Sequence, residues 1–329
     1  MRKTPTLVTG VAALGLLAAA TLAAAQEAQL NRVADGGFES GFVSLSLPAG
    51  ARLPMFSGGW ASRGSRTPEI IERPGGYQGA RALRVASRPD DPLLLLQDLP
   101  FNGAGFGLRL AFRVEEGSQT IRLLTDWDRR DPAGGQIAFA VTIHPASLTF
   151  ATPGGQWEIP ADLAAGNWHT LSVLADPRSG VQSIDLDGRQ VLALPGVPAQ
   201  RPATLLLGGV DRQSGSFLYD AVEVVSLVDL EIDLLRDAGI RLDPGARGAL
   251  LGRLDAVVMA LDRGAPALAL PELDAARTLL GWSRQRTLAD RDGTAASQRT
   301  AALIAEMERA VDSLIELIEI DAHERGSQR

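Results

Sequence analysis

Apolar and polar residues alternate through Trp168-His169-Thr170-Leu171-Ser172-Val173-Leu174-Ala175, a two-residue period that predicts a half-buried β-strand. Asp176-Pro177-Arg178-Ser179-Gly180 then offers proline for a turn start and glycine for a positive φ, and Asp187-Gly188 marks a second turn. Residues 167–194 therefore predict three short antiparallel strands. Such a meander cannot bury its apolar face alone, so neighbouring strands must complete a two-sheet sandwich. Strand-length runs at 106–114, 120–125, 136–143, 147–150, 201–209 and 215–225 are available for that.

From Val228 the period changes. Leu230, Leu234 and Leu235 recur at helical spacing up to Gly239, which predicts a first helix with glycine at its C-terminal cap. Asp243-Pro244 starts a second helix, carrying Leu250, Leu251, Leu254, Val257, Val258 and Leu261 to a stop at Gly264. A third, with Pro271 in its first turn, carries Leu273, Ala276, Leu279 and Leu280. A fourth, from about Ala295 to His323, carries Leu303, Ile304, Met307, Val311, Leu314, Ile315 and Ile318. Four amphipathic helices with short links predict a bundle. The chain thus divides into a β part at 26–228 and an α part at 229–329.

Arg2 and Lys3 precede an apolar run at 7–25 that ends in Ala23-Ala24-Ala25, the pattern of a signal peptide at 1–25 cut after Ala25. The expected setting is secreted or periplasmic, without membrane insertion after cleavage. Removing those two positive charges takes the formal charge of −7 to −9, an acidic balance that argues against nucleic acid as a partner. Cysteine is absent, which excludes disulfides and thiolate chemistry. Lys3 is the only lysine, so the cleaved chain has no amine for a Schiff base. The three histidines, His144, His169 and His323, make a three-histidine zinc site implausible, because the last belongs to the far C-terminal tail.

The order Asn31…Gly36-Gly37-Phe38-Glu39-Ser40-Gly41, Gly58-Gly59-Trp60 and Gly79-Ala80-Arg81-Ala82-Leu83-Arg84-Val85 resembles the opening of secreted bacterial carbohydrate-binding jelly rolls. The 168–176 strand and the Ile184-Asp185-Leu186-Asp187-Gly188 hairpin are similar to laminin-G-like and concanavalin A-like sandwiches. Ser216-Phe217-Leu218-Tyr219-Asp220-Ala221-Val222 is similar to their closing strand. The resemblance covers about residues 29–228. It implies a β-sandwich of the jelly-roll, concanavalin A-like class, and places Trp60 and Trp168 among sheet-packing tryptophans. The helical order, from Leu234-Leu235 through Ala238-Gly239-Ile240 to Ala302-Leu303-Ile304-Ala305-Glu306, resembles the FIMAH-type module of secreted bacterial hydrolases and surface proteins, which implies an accessory role.

Two constellations stand out. In the jelly rolls this chain resembles, carboxylates at positions matching Glu39 and Asp220 meet at a structural Ca2+ ion, which needs six to eight oxygens. Both could equally be solvated or paired with arginines. Trp127, between Asp126 and Asp128 with Arg130 nearby, suits sugar recognition: ring CH groups stack on indole while charged side chains bond hydroxyls. Packing at a sheet edge is its alternative. Tyr77, in a glycine-rich loop, is a further sugar contact, and Trp157 follows Pro153-Gly154-Gly155 in a hairpin-like segment.

Enzymatic signatures are sparse. Asp185 and Asp187 share a strand face, yet Asp187-Gly188 is a turn, and no glutamate follows at the spacing a polysaccharide-cutting strand needs. No G-x-S-x-G elbow is present. The expectation is a noncatalytic protein that binds a polysaccharide or presents an interaction surface, with a possible protein partner for the helical domain. The alternatives are an extracellular polysaccharide hydrolase or lyase and a structural envelope protein.

Overall fold

The computed structural model describes residues 45–47, 60–63, 66, 68–72, 77, 81–99, 101, 103–128, 131–163, 165–195, 201–210, 213–289 and 295–327; for 45–47, 126–128, 131–134, 295 and 324–327 the backbone alone is described. Among the described residues, fifteen strands precede four α-helices. The strands are β1 Leu45–Leu47, β2 Ala61–Arg63, β3 Glu69–Glu72, β4 Arg81–Ser87, β5 Leu94–Asp98, β6 Phe106–Gly117, β7 Gln119–Asp128, β8 Asp131–His144, β9 Ser147–Thr152, β10 Gly155–Pro160, β11 Trp168–Asp176, β12 Val181–Leu186, β13 Arg189–Pro195, β14 Thr204–Gly208 and β15 Gly215–Ser226. They form an eight-stranded sheet, β1-β2-β5-β14-β7-β8-β9-β10, and a seven-stranded sheet, β13-β12-β11-β6-β15-β4-β3. The fold is a β-sandwich followed by an all-α region, as the two periods predict.

Alternating side chains build the core between the sheets. Leu108, Leu110, Phe112 and Val114 of β6 meet Leu171, Val173 and Ala175 of β11 there, together with Ile121, Leu123, Phe139, Phe150, Phe217 and Tyr219. One polar pin crosses it: Gln119 Nε2 donates to the carbonyls of Val85 at 2.7 Å and Gly215 at 3.0 Å, and Tyr219 donates its hydroxyl to Gln119 Oε1 at 2.9 Å. Each polar group of the pin has a partner, which is what keeps burial of an amide and a phenol from costing stability.

The eight-stranded sheet also carries a buried apolar cluster clear of that core: Ala61, Leu94, Leu96, Leu124, Leu206 and Val210. This accounts for the unbroken runs Leu93-Leu94-Leu95-Leu96 and Leu205-Leu206-Leu207, since a strand buried on both faces has no polar positions to alternate. At Gly208, with φ +135°, a Cβ would lie 2.1 Å from the Leu93 carbonyl oxygen, so only glycine lets β14 approach β5 so closely.

The chain forms two compact units. One is the sandwich through 225; the other joins residues 226–329 to the turns at 102–105 and 176–179. The helices are α1 Leu227–Gly239, α2 Pro244–Asp262, α3 Leu270–Ala289 and α4 Ala295–Ser327. Ser226 and Asp243 cap the first two, and Pro244 opens α2 as the sequence predicts. The buried stripe of α1 is Val228, Ile232, Leu235 and Gly239, whereas Leu234 is exposed, so the stripe is displaced from the predicted Leu230, Leu234 and Leu235. Gly239 is not the expected left-handed cap: the cap is Ile240 with φ −57°, and a Cβ on Gly239 would come within 3.3 Å of the Leu250 side chain. Close approach of α1 and α2 explains that glycine.

Within the helical unit, Arg178 of the 176–179 turn donates from Nε to Asp176 at 2.8 Å and from Nη1 to Glu231 of α1 at 2.9 Å, and also bonds Ser313 of α4. Burial opposes its charge, but hydrogen bonds and attraction from Asp176 and Glu231 outweigh that and raise its pKa.

Candidate functional site

On the seven-stranded sheet, residues that alternate with the core positions point away from it. Register places Trp168 of β11 directly opposite Arg113 of β6. The Arg113 guanidinium carbon lies 5.7 Å from the Trp168 ring centroid, in cation–π range, and Tyr77 approaches the same indole with centroids 6.3 Å apart at 55°. Trp168 is half-buried and Tyr77 is 38% exposed. The placement of Trp168 corrects the packing role that the family resemblance implies: Trp60, 4% exposed, does join the core, whereas Trp168 does not.

Charged groups continue the row. Glu115, two residues along β6 from Arg113, accepts from Arg84 Nε and Nη2, both at 2.9 Å, and from the Ser216 hydroxyl at 2.8 Å. Arg84 lies across from Glu69 of β3 in register and 3.6 Å from its carboxylate. Burial alone would raise the Glu115 pKa, but the bonds from Arg84 and Ser216 and the charges of Arg84 and Arg113 hold it below its ordinary 4.5. A carboxylate so held stays ionised at neutral pH and makes a poor general acid. An aromatic pair flanked by fixed guanidinium and carboxylate groups is chemically suited to a polyhydroxylated ring.

The chain is similar in fold to solved sandwiches. No family model matches it, and no curated protein matches it, so the FIMAH resemblance rests on sequence order alone. Among solved structures it is similar to a sialidase, with a TM-score of 0.39 and 10% identity over 55% of this chain and 18% of that one. It is also similar to the carbohydrate-binding module CBM66 from Bacillus subtilis, with a TM-score of 0.34 and 12% identity over 56% of this chain and all of the module (100%). An alginate lyase of polysaccharide lyase family 7 gives a TM-score of 0.34 and 8% identity over 47% of this chain and 81% of the lyase. The likeness concerns the fold alone.

The other predicted site residues are placed as follows. The backbone of Asp126, Trp127 and Asp128 forms the end of β7, on the eight-stranded sheet; Arg130 lies outside the described residues. Asp126 pairs with Gln136 and Asp128 with Asp131, so residues 132–135 of β8 bulge against Trp127 alone. Thus Tyr77 and Trp127 belong to separate places, not to one site. Trp157 folds over the Gly154-Gly155 turn, its ring 3.2 Å from where a Gly155 Cβ would be.

Asp220 is fully buried on β15, where its Oδ1 accepts the N–H of Ala221 at 2.7 Å. Ala221 has φ 48°, and the core positions shift there from 217 and 219 to 222 and 224, as a bulge requires. Glu39 lies outside the described residues, and among those described no three acidic or histidine side chains form a group that could hold a metal.

Asp187 and Gly188 take φ 51° and 74°, the turn predicted for them. The Asp187 carboxylate accepts from His169 Nδ1 at 2.9 Å and from the Thr170 N–H at 2.7 Å, which fastens the turn to β11. The Asp185 carboxyl has its pKa raised by burial.

Proposed function

We propose that the sandwich is a noncatalytic glycan-binding module of an exported protein, with the ligand on the outer face of the seven-stranded sheet. The observation that carries this reading is the Trp168–Tyr77 pair, presented away from the core beside Arg113. An indole and a phenol offer flat apolar surface to sugar CH groups, and the neighbouring Arg84, Arg113 and Glu115 supply donors and acceptors for hydroxyls. Export is favoured by Arg2, Lys3 and the apolar run at 7–25. The helices act as an accessory unit in this reading.

A glycan array probed with the purified chain, followed by titration of the best glycan against Trp168→Ala, tests it. Binding by the parent chain that is lost in the variant is the expected result. Binding retained by both Trp168→Ala and Tyr77→Ala would overturn the placement, and an array without any bound glycan would overturn the function.

A further inference from the structure

We infer that the glycan taken by this face carries a carboxylate, as a uronic acid does, and that Arg113 receives it. This rests on the glycan-binding reading above. Arg113 is mostly enclosed, its side chain 17% exposed, yet among the described residues it makes no hydrogen bond, and its Nε is buried without an acceptor. Among the described residues the acid within ion-pair range is Glu115, whose Oε1 lies 3.7 Å from Nη2, beyond hydrogen-bond distance. Glu115 is already engaged: both its oxygens accept from Arg84, and one accepts from Ser216 as well. So of the two arginines beside it, Arg84 is satisfied and Arg113 is not.

A guanidinium held in partial burial without acceptors is costly, and a planar carboxylate meeting its exposed Nη end is the partner whose geometry and charge fit it. Trp168 fixes the place where that partner would lie, since the guanidinium lies over its ring. A sugar ring against the Trp168–Tyr77 pair would bring a ring carboxylate to Arg113 without moving either strand. Glu69 and Glu115 together balance Arg84 and Arg113, so no large positive field draws polyanions in from a distance. Selectivity then comes from contact with Arg113 rather than from steering. A purely structural Arg113 would serve only to offset Glu115, and it would leave ligand choice untouched.

The test is calorimetric titration of the purified chain with uronic-acid oligosaccharides, with the same oligosaccharides after reduction of the carboxyl to a primary alcohol, and with sulfated neutral oligosaccharides. The unmodified chain should bind the uronate about tenfold more tightly than its reduced form. Arg113→Gln should bring the two affinities together by weakening the uronate alone, and Arg113→Lys, which keeps the charge without the planar fork, should lose most of the preference. Equal or tighter binding of the reduced form by the unmodified chain overturns the inference, as does a parallel loss of both forms in a folded Arg113→Gln. A preference for sulfated over carboxylated sugars overturns it too. If neutral glycans bind and uronates do not, this inference falls while the glycan-binding reading stands; if no glycan of any kind binds, both fall.

Discussion

Trp168 and Arg113 stand directly opposite each other on β11 and β6, with the guanidinium carbon 5.7 Å from the indole centroid. The pair joins an aromatic surface to a charged donor on the polar side of the sheet. Removing the ring should therefore weaken binding more than folding. Trp168→Ala is expected to cost about 1–2 kcal/mol in glycan affinity, the scale of an aromatic contact at a binding hot spot. Its stability loss should fall well short of the roughly 3–5 kcal/mol of a core tryptophan. Thermal melting and titration on the same variant check both, and a core-sized stability loss would remove Trp168 from the site.

Arg178 makes the opposite case, a side chain whose partners are all internal. It bonds Asp176, Glu231 and Ser313 while only 16% of its side chain is exposed. Arg178→Ala leaves two carboxylates in partial burial without their cation, and a loss of about 3–5 kcal/mol is expected by denaturant unfolding. A loss below about 1 kcal/mol would show that the network is solvated and adds little.

Glu115 and Glu223 should respond to pH with opposite signs. The Glu115 pKa is lowered in the fold, so its stabilisation is full above its ordinary 4.5 and is lost as pH falls through the folded value. Glu115→Gln should cost about 1–2 kcal/mol at neutral pH, less in acid. Glu223, 4% exposed and with Oε2 buried without a partner among the described residues, has its pKa raised by burial, which the charge of Arg109 only partly offsets. Its ionisation therefore costs stability, starting above its ordinary 4.5 and growing until pH passes the raised value. Glu223→Gln should raise the melting temperature at neutral pH and lose that advantage below 4.5. Melting curves across pH decide both; a lower melting temperature for Glu223→Gln at neutral pH would contradict this account.

How much of this was legible in the sequence depends on the kind of signal. Asp187-Gly188, Asp243-Pro244 and the alternation in 168–175 are local, and the turn, the cap and the strand follow from them directly. Parity from Leu171 and Val173 already sets Trp168 with Thr170 and Ser172 on the polar face, so the outward tryptophan was readable from alternation; the family resemblance pointed the other way. Its partner was not readable. Opposition to Arg113 arises from pairing between strands far apart in sequence, and Tyr77 reaches the same ring from another loop. Leu94–Asp98 gave no alternation because its leucines are buried on both faces of the sheet. The displaced stripe of α1 has a similar origin: Leu230, Leu234 and Leu235 satisfy helical spacing as well as Val228, Ile232 and Leu235 do, and only the packing partners choose between them.

Trp127 offers a second tryptophan against which the proposed site can be judged. Its backbone lies next to the end of β7 on the eight-stranded sheet, at the register position of the bulge at 132–135, whereas Trp168 belongs to the seven-stranded sheet. The two substitutions are therefore separable. Trp127→Ala should leave glycan affinity within about twofold of the parent, the scatter expected of a residue outside the contact. Trp168→Ala should lose about tenfold or more. If the hairpin end is the sugar platform instead, the pattern reverses: Trp127→Ala would weaken binding by roughly 1–3 kcal/mol with the melting temperature unchanged, and Trp168→Ala would bind normally. Titrating both variants with one glycan, and melting both, distinguishes the two placements in a single experiment. That reversed pattern would move the ligand to Asp126, Trp127, Asp128 and Arg130 and leave the sandwich fold untouched.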